Sequence, residues 1–126
     1  MIKMTKSKKP GKQRKAVYQE DMHKRHKLIA SSLDKKLRAK IGVKSLTSRV
    51  GDTVKVMRGS HKGRTGKVIR VDYIEGKIYV DNIARKKVSG QDINPPIHPS
   101  NLVITETVED AKRFKRKKET AKKGEA

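Results

Sequence analysis

The stretch that decides the fold is Val50–Val71, which reads VGDTVKVMRGSHKGRTGKVIRV. Val54 and Val56 alternate with Lys55, and Val68 and Ile69 follow a glycine-rich loop. Alternation of apolar and polar residues is typical of a half-buried strand. The stretch therefore predicts two short strands joined by a basic loop.

Further strands follow this pair along the chain. Lys77–Ile83 alternates again, which predicts that Ile78, Val80 and Asn82 share one face. Leu102–Thr105 reads as a short final strand. Several short strands with glycine turns favour a mainly β fold, and closure into a small barrel would remove exposed sheet edges.

The charge of the chain is strongly basic. Its 126 residues include 34 Lys plus Arg and 13 Asp plus Glu, for a net charge of +21. Residues 1–49 form a basic N-terminal extension of net charge +13, residues 50–105 form the barrel with +5, and residues 106–126 form a basic C-terminal tail with +3. Such an excess repels itself in a compact state unless an anionic partner neutralises it, which predicts nucleic-acid binding.

The two ends of the chain are expected to behave as arms. Residues 1–15 combine lysines and Arg14 with glycine, proline and small polar residues, and this composition predicts disorder in the free protein. The segment Lys112–Lys118 is either a basic helix or disordered, and composition does not decide between them.

A helix is predicted between Ser31 and Gly42. Ser31 or Ser32 can cap its start, and Gly42 can end it. Three apolar residues spaced four apart predict one narrow stripe, with lysines and an arginine on the remaining faces. The stripe consists of Leu33, Leu37 and Ile41.

The loop Arg58–Lys67 carries the strongest functional signal. Gly59, Gly63 and Gly66 would let a partner approach the backbone, while Arg58, Arg64 and two lysines supply positive charge beside it. The pattern suits phosphate contact, although at least one of the three glycines is expected to serve the hairpin geometry alone. It does not form a nucleotide-binding P-loop, because its glycine-lysine pair is followed by a valine within a strand.

At this loop the sequence resembles the KOW motif that ribosomal and transcription-factor proteins share. The flanking stretches KRHK (24–27), LDKKLR (33–38) and IHPSNLVI (97–104) narrow the resemblance to the archaeal and eukaryotic form of ribosomal large-subunit protein 24. The similarity covers roughly residues 12–105. It implies an SH3-like barrel on the large-subunit rRNA, near the polypeptide exit tunnel and assembled early.

The resemblance also implies partners and contact residues. Large-subunit rRNA and neighbouring large-subunit proteins are the expected partners, with nascent-chain factors at the connection from Ala84 to Pro96. The residues predicted to bind rRNA are Lys12, Arg14, Lys15, His23, Lys24, Arg25, His26, Lys27, Lys35, Lys36, Arg38, Lys55, Arg58, Gly59, Lys62, Gly63, Arg64, Lys67, His98 and Ser100.

Other classes of protein explain less of the sequence. Four scattered histidines and no cysteine give neither a catalytic constellation nor a metal site, so no enzyme and no cofactor are expected. No apolar run is long enough to span a bilayer, which favours the cytoplasm. A transcription elongation factor remains an alternative, although residues 1–49 are too short and basic for its usual second domain. A basic chromatin or membrane-surface protein would leave the segment Ile97–Ser100 unexplained.

Overall fold

The computed structural model of the protein describes residues 5–110, 112 and 113. Its helices are α1 (Pro10–Gln19), α2 (Met22–Arg25) and α3 (Lys35–Ile41), with 3₁₀ turns at His26–Leu28 and Pro99–Asn101. Its strands are β1 (Ala30–Leu33), β2 (Ser45–Thr47), β3 (Thr53–Val56), β4 (Thr65–Asp72), β5 (Lys77–Val80), β6 (Arg85–Lys86), β7 (Asp92–Ile93) and β8 (Leu102–Glu106).

Six strands form one sheet in the order β2-β1-β8-β3-β4-β5. β8 pairs with β1 in parallel and with β3 in antiparallel, while β6 and β7 form a separate hairpin. Ile97 extends the sheet by an antiparallel bridge to Ile78. The mainly β fold is confirmed. The arrangement is consistent with an SH3-like barrel, although in the described residues β2 lies at one edge of the sheet and β5 at the other, where Ile97 makes its bridge.

The core lies between the inward faces of these strands, and its buried members among the described residues are all aliphatic. It consists of Ile29, Leu33, Val54, Val56, Val68, Ile78, Val80, Ile83, Ile97, Leu102 and Ile104. The inward placement of Ile78 and Val80 confirms the predicted alternation. The prediction for Asn82 is wrong, because this exposed residue has a φ of 62° in a turn and Ile83 enters the core in its place.

The predicted helix starts too early in the sequence. Residues Ala30–Leu33 form a strand, and α3 begins only after Asp34. Neither Ser31 nor Ser32 caps the helix. Ser31 is instead fully buried, and its hydroxyl lies 2.7 Å from that of Ser48 and donates to the Pro99 carbonyl at 3.0 Å. These hydrogen bonds allow a serine to occupy a core position.

The end of α3 agrees with the prediction. Gly42 has a φ of 66°, and its N–H donates to the Arg38 carbonyl at 2.6 Å, so a glycine stops the helix in the left-handed conformation. Leu37 and Ile41 pack against the core as partly buried side chains. The predicted stripe therefore exists on α3, whereas Leu33 reaches the same core from β1.

Part of the N-terminal segment is helical, and its disorder in the free protein stays a prediction. Residues 10–15 belong to α1, while residues 1–4 lie outside the described part. Pro10 begins α1, where its fixed φ favours a helix and its missing N–H is not needed. No residue of α1 is buried. The helix is therefore an exposed basic arm rather than part of the core.

Arg25 attaches the N-terminal extension to the barrel. Its guanidinium donates to the carbonyls of Tyr18, Glu20 and Ile74, at 2.6, 2.8 and 3.2 Å. The neighbouring His26 ring packs on that of Tyr73, with 4.1 Å between the ring centroids. Both contacts reach the turn between β4 and β5, so the extension is fixed to one end of the barrel.

The chain after β8 folds back onto the barrel through Asp52 and Arg113. Asp52 is fully buried and the Arg113 side chain is 4% exposed. Arg113 donates to both Asp52 carboxylate oxygens, at 2.6 and 2.8 Å, and to the Thr47 carbonyl at 2.6 Å. The N–H groups of Arg49 and Val108 also donate to this carboxylate. Residues 112 and 113 are helical, and the rest of the predicted basic segment lies outside the described residues.

The division of the chain at residues 49 and 105 stays a prediction. β1 and β2 join the barrel sheet from the first part, and the Asp52–Arg113 pair joins the third part to the second.

None of the described helices is both long enough and apolar enough to span a membrane.

Candidate RNA interface

The loop between β3 and β4 has the geometry of a fixed, exposed turn. The Gly63 N–H donates to the Val56 carbonyl and the Met57 N–H to the Asn101 carbonyl, both at 2.8 Å. Gly59 and Gly63 have φ values of 94° and 86°, and a Cβ at either position would meet nothing within 4 Å. These two glycines are needed for the backbone conformation, and the space beside them is open to a partner.

Gly66 has a different role from Gly59 and Gly63. It is buried, and a Cβ built on it would lie 2.1 Å from the Asp81 carbonyl oxygen. The missing side chain therefore allows β4 to pack closely against the chain that follows β5. Gly66 is therefore a glycine that serves the strand geometry alone.

Replacing Gly63 with valine tests the turn by itself. A β-branched residue resists a φ of 86°, so the free energy of unfolding should fall by about 1–3 kcal/mol. Urea unfolding of the isolated protein measures this change. Gly11→Val is the control, since Gly11 lacks a positive φ and has nothing within 4 Å of its Cβ position. If Gly63→Val is as stable as the unmodified protein, the backbone conformation at position 63 does not require a glycine.

The predicted barrel cations lie on the outside of β3, β4 and their loop. Lys55 pairs across the sheet with Thr65, and Lys67 pairs with Thr53, so both lysines occupy the same outer face. The loop cations are also exposed; they are Arg58, Lys62 and Arg64. Within the described part of the chain none of these five forms an ion pair, so their charges are open to an external anion.

A groove of about 590 Å³ brings the loop beside a second segment, and we name it the loop groove. Arg58–His61 line one side, and Pro95–His98 line the other. Lys77 and Arg85 complete its basic lining, and the predicted set did not include them. The Ile78–Ile97 bridge brings Lys77 to this groove. The local sequence does not predict this pairing.

His98 and Ser100 form a local hydrogen-bonded unit. The His98 Nδ1 atom lies 2.8 Å from the Ser100 hydroxyl oxygen and accepts the Ser100 N–H at 3.3 Å. This bond holds the ring at the start of the 3₁₀ turn before β8. His98 lines the loop groove, whereas Ser100 acts on the ring. RNA contact by either residue stays a prediction.

A second groove, of about 660 Å³, lies at the other set of predicted residues, and we name it the helix groove. His23, His26 and Lys27 line it together with Tyr73 and with apolar residues of the helix and strand that follow. The two grooves share no lining residue. The predicted residues therefore form separate basic surfaces rather than one site.

Three of the predicted lysines and arginines already have partners within the protein. Lys24 lies 3.0 Å from Glu20 and 3.3 Å from Asp21, and the Glu20 hydrogen bond followed by that of Asp21 raises the pKa of its ammonium group. The guanidinium of Arg25 is directed to backbone carbonyls, and the Arg38 Nε–H donates to the Leu33 carbonyl at 2.7 Å. These side chains have less capacity for an external anion than their charge suggests.

The remaining predicted cations are exposed on helices and lie outside both grooves. They are Lys12, Arg14 and Lys15 on α1 and Lys35 and Lys36 on α3. No grouping of three His, Cys, Asp or Glu residues that could hold a metal exists in the part described.

The carboxylates of the barrel serve turns rather than catalysis. Asp72 accepts the N–H groups of Glu75 and Ile74, and the Glu75 hydrogen bond is the main cause that lowers its pKa. Asp72 also lies 3.8 Å from Arg70 and pairs across the hairpin with Lys77. Asp110 has a lowered pKa chiefly because it accepts the Lys112 N–H, with Arg49 as its ion-pair partner.

Comparison with known proteins identifies the family. A family model that describes the eukaryotic ribosomal proteins L26 and their archaeal counterparts, which are numbered 24, matches residues 7–119. The chain belongs to this ribosomal protein family. One relative, "Large ribosomal subunit protein uL24" of Korarchaeum cryptofilum (strain OPF8), is 46% identical over 100 residues, which are 79% of this chain and 76% of the relative.

Membership of this ribosomal family confirms the resemblance inferred from the barrel loop and its flanks. The protein is a structural component of the ribosome, and its family is not one of enzymes. A ribosomal family also excludes the transcription elongation factor as the explanation of the KOW loop. The match extends beyond residue 105 to residue 119, and so includes the segment that carries Arg113.

Proposed function

We propose that this ribosomal protein binds large-subunit rRNA, chiefly by placing exposed lysines and arginines against its phosphates. The observation that carries the proposal is the set of loop and strand cations that have no carboxylate partner among the described residues. In a protein of net charge +21, unpaired surface cations favour a polyanion over other ligands. Phosphate contacts position a protein on RNA without reading its sequence.

The N-terminal arm and the β6–β7 hairpin suggest different contacts within the large subunit. α1 and the N-terminal extension form a basic arm that would lie along rRNA, consistent with early binding during assembly in the cytoplasm. The β6–β7 hairpin projects from the sheet, and Val88 at its tip is fully exposed. We place this hairpin nearest the exit tunnel, where neighbouring ribosomal proteins or nascent-chain factors would meet it.

Charge reversal in the loop tests the proposed rRNA contact. Lys62→Glu combined with Arg64→Glu should weaken binding to purified large-subunit rRNA by on the order of tenfold to a hundredfold, because two phosphate contacts become repulsions. Filter binding at fixed ionic strength measures the affinity. Both side chains are exposed, so thermal unfolding of the double variant should match that of the unmodified protein.

The matched control reverses two charges on the projecting hairpin, with Lys86→Glu and Lys87→Glu. The net charge change is the same, and the expected loss of rRNA affinity is smaller because the hairpin is assigned to the tunnel side. Equal losses for the two double variants would show that only the net charge matters. An unchanged affinity of the loop variant would contradict the proposed interface.

A further inference from the structure

The loop groove is a basic surface without charge compensation among the described residues. Its cations are Arg58, Lys77 and Arg85, and no carboxylate lines it. Nor does any of the three form an ion pair in the part of the chain that the structure describes. In the helix groove, by contrast, Arg49 pairs with Asp110 and Arg113 with Asp52. The loop groove is thus the better site for an anion.

Backbone donors add to these cations along one wall. The four successive N–H groups of Arg58–His61 donate to no acceptor within the described residues, while those of Lys62, Gly63 and Arg64 close the turn. Consecutive free N–H groups in a glycine-containing turn form a favourable surface for an anion. A phosphate is the anion that an RNA-binding protein meets there.

His61 lines the same part of the loop groove. Its Nδ1 atom is buried without a hydrogen-bond partner, and no bond from the described residues holds the ring, in contrast to His98. His61 is the last of the four residues with free N–H groups, so a ligand held by that wall would lie beside its side chain.

The opposite wall is apolar. Pro95 and Pro96 line it, and Ile97 behind them is 8% exposed. A volume of about 590 Å³ is within the range of roughly 300–1,000 Å³ that is typical of small-ligand sites. The groove therefore combines an anion-binding wall with a largely apolar wall, a pairing that suits a phosphate with an attached base.

We propose that the loop groove takes one unpaired nucleotide of the bound RNA, with its phosphate towards Arg58–His61 and its base against Pro95 and Pro96. The inference rests on the proposed rRNA binding and adds to it a site for a base. Paired nucleotides have their base faces covered by stacking, so the groove would prefer a bulge or loop over a continuous helix.

Two synthetic RNA duplexes test the preference, one fully paired and one identical except for a single bulged adenosine. The full-length protein should bind the bulged duplex about fivefold more tightly, or better, since base packing of this kind strengthens single-strand binding. Pro95→Ala with Pro96→Ala changes no charge and should bring that ratio towards one, while affinity for the paired duplex stays the same. Val88→Ala, outside the groove, is the control and should keep the ratio.

A second variant tests the groove without replacing the prolines, so an effect of the prolines on loop folding cannot explain its result. Arg85→Ala should lose more affinity for the bulged duplex than Lys87→Ala, which removes one charge from the same hairpin outside the groove. Equal binding of the two duplexes by the unmodified protein would overturn the inference and leave the RNA-binding function intact. Binding of neither duplex would remove the proposed function itself. A ratio that neither groove variant lowers would also overturn the inference.

Discussion

Raising the salt concentration from about 50 to about 200 mM should weaken binding to large-subunit rRNA by roughly a thousandfold to a hundred-thousandfold, if about 6 to 10 phosphates are engaged. The structure supports so many contacts. Among the described cations, only Lys24, Arg49, Arg70 and Arg113 form ion pairs. Each phosphate contact releases counterions from the RNA. Release into a solution of higher salt concentration is less favourable, so binding weakens.

Single substitutions show which residues cause this salt dependence. Lys62→Ala should make the plot of log affinity against log salt shallower by about one unit, which is the effect of one lost phosphate contact. Lys24→Ala is the matched control and should change the slope less, because Glu20 and Asp21 already neutralise its charge. Binding that hardly responds to salt would contradict the phosphate mechanism.

The largest effect on stability should come from Asp52. In Asp52→Ala the guanidinium of Arg113 remains 4% exposed without its carboxylate, and the N–H groups of Arg49 and Val108 lose their acceptor. Breaking a buried pair from one side typically costs about 3–5 kcal/mol. Urea unfolding of the isolated protein should show a loss of this size in the free energy of unfolding.

Asp110→Ala supplies the comparison for Asp52→Ala. It removes the other carboxylate that pairs with an arginine near the C-terminal segment, but the Arg49 and Asp110 side chains are 50% and 32% exposed. Solvent screens such a pair, so its loss should cost much less than the loss of the buried pair. If Asp52→Ala is no less stable than Asp110→Ala, the buried pair does not hold the C-terminal segment in solution.

The barrel strands could be predicted because their pattern is local. Val54 and Val56 alternate with polar residues, and glycine turns mark where the strands end. The start of α3 could not be predicted in the same way, because Leu33, Leu37 and Ile41 fit a helical period even though Leu33 lies in β1. Ser31 enters the core only through partners at positions 48 and 99, which a local pattern does not reveal.

The candidate site could also be predicted only where its residues are close in sequence. The cations around Gly59 and Gly63 are neighbours in sequence, so the local sequence was enough to predict them. Lys77 and Arg85 reach the same groove through tertiary structure and were missed. Arg113 was the hardest to foresee, because it stands in a run of basic residues and its partner Asp52 is 61 positions away.

The position of β8 inside the sheet determines when the fold can be completed. A ribosome makes Ala30–Leu33 long before Leu102–Glu106, yet β8 is the strand that joins β1 to β3. The β3–β4–β5 meander can pair as soon as it emerges, whereas closing the sheet requires contacts of long sequence separation, which form slowly. Completion of the sheet is therefore a late step, and the basic N-terminal arm is already present while the barrel is still two unjoined pieces.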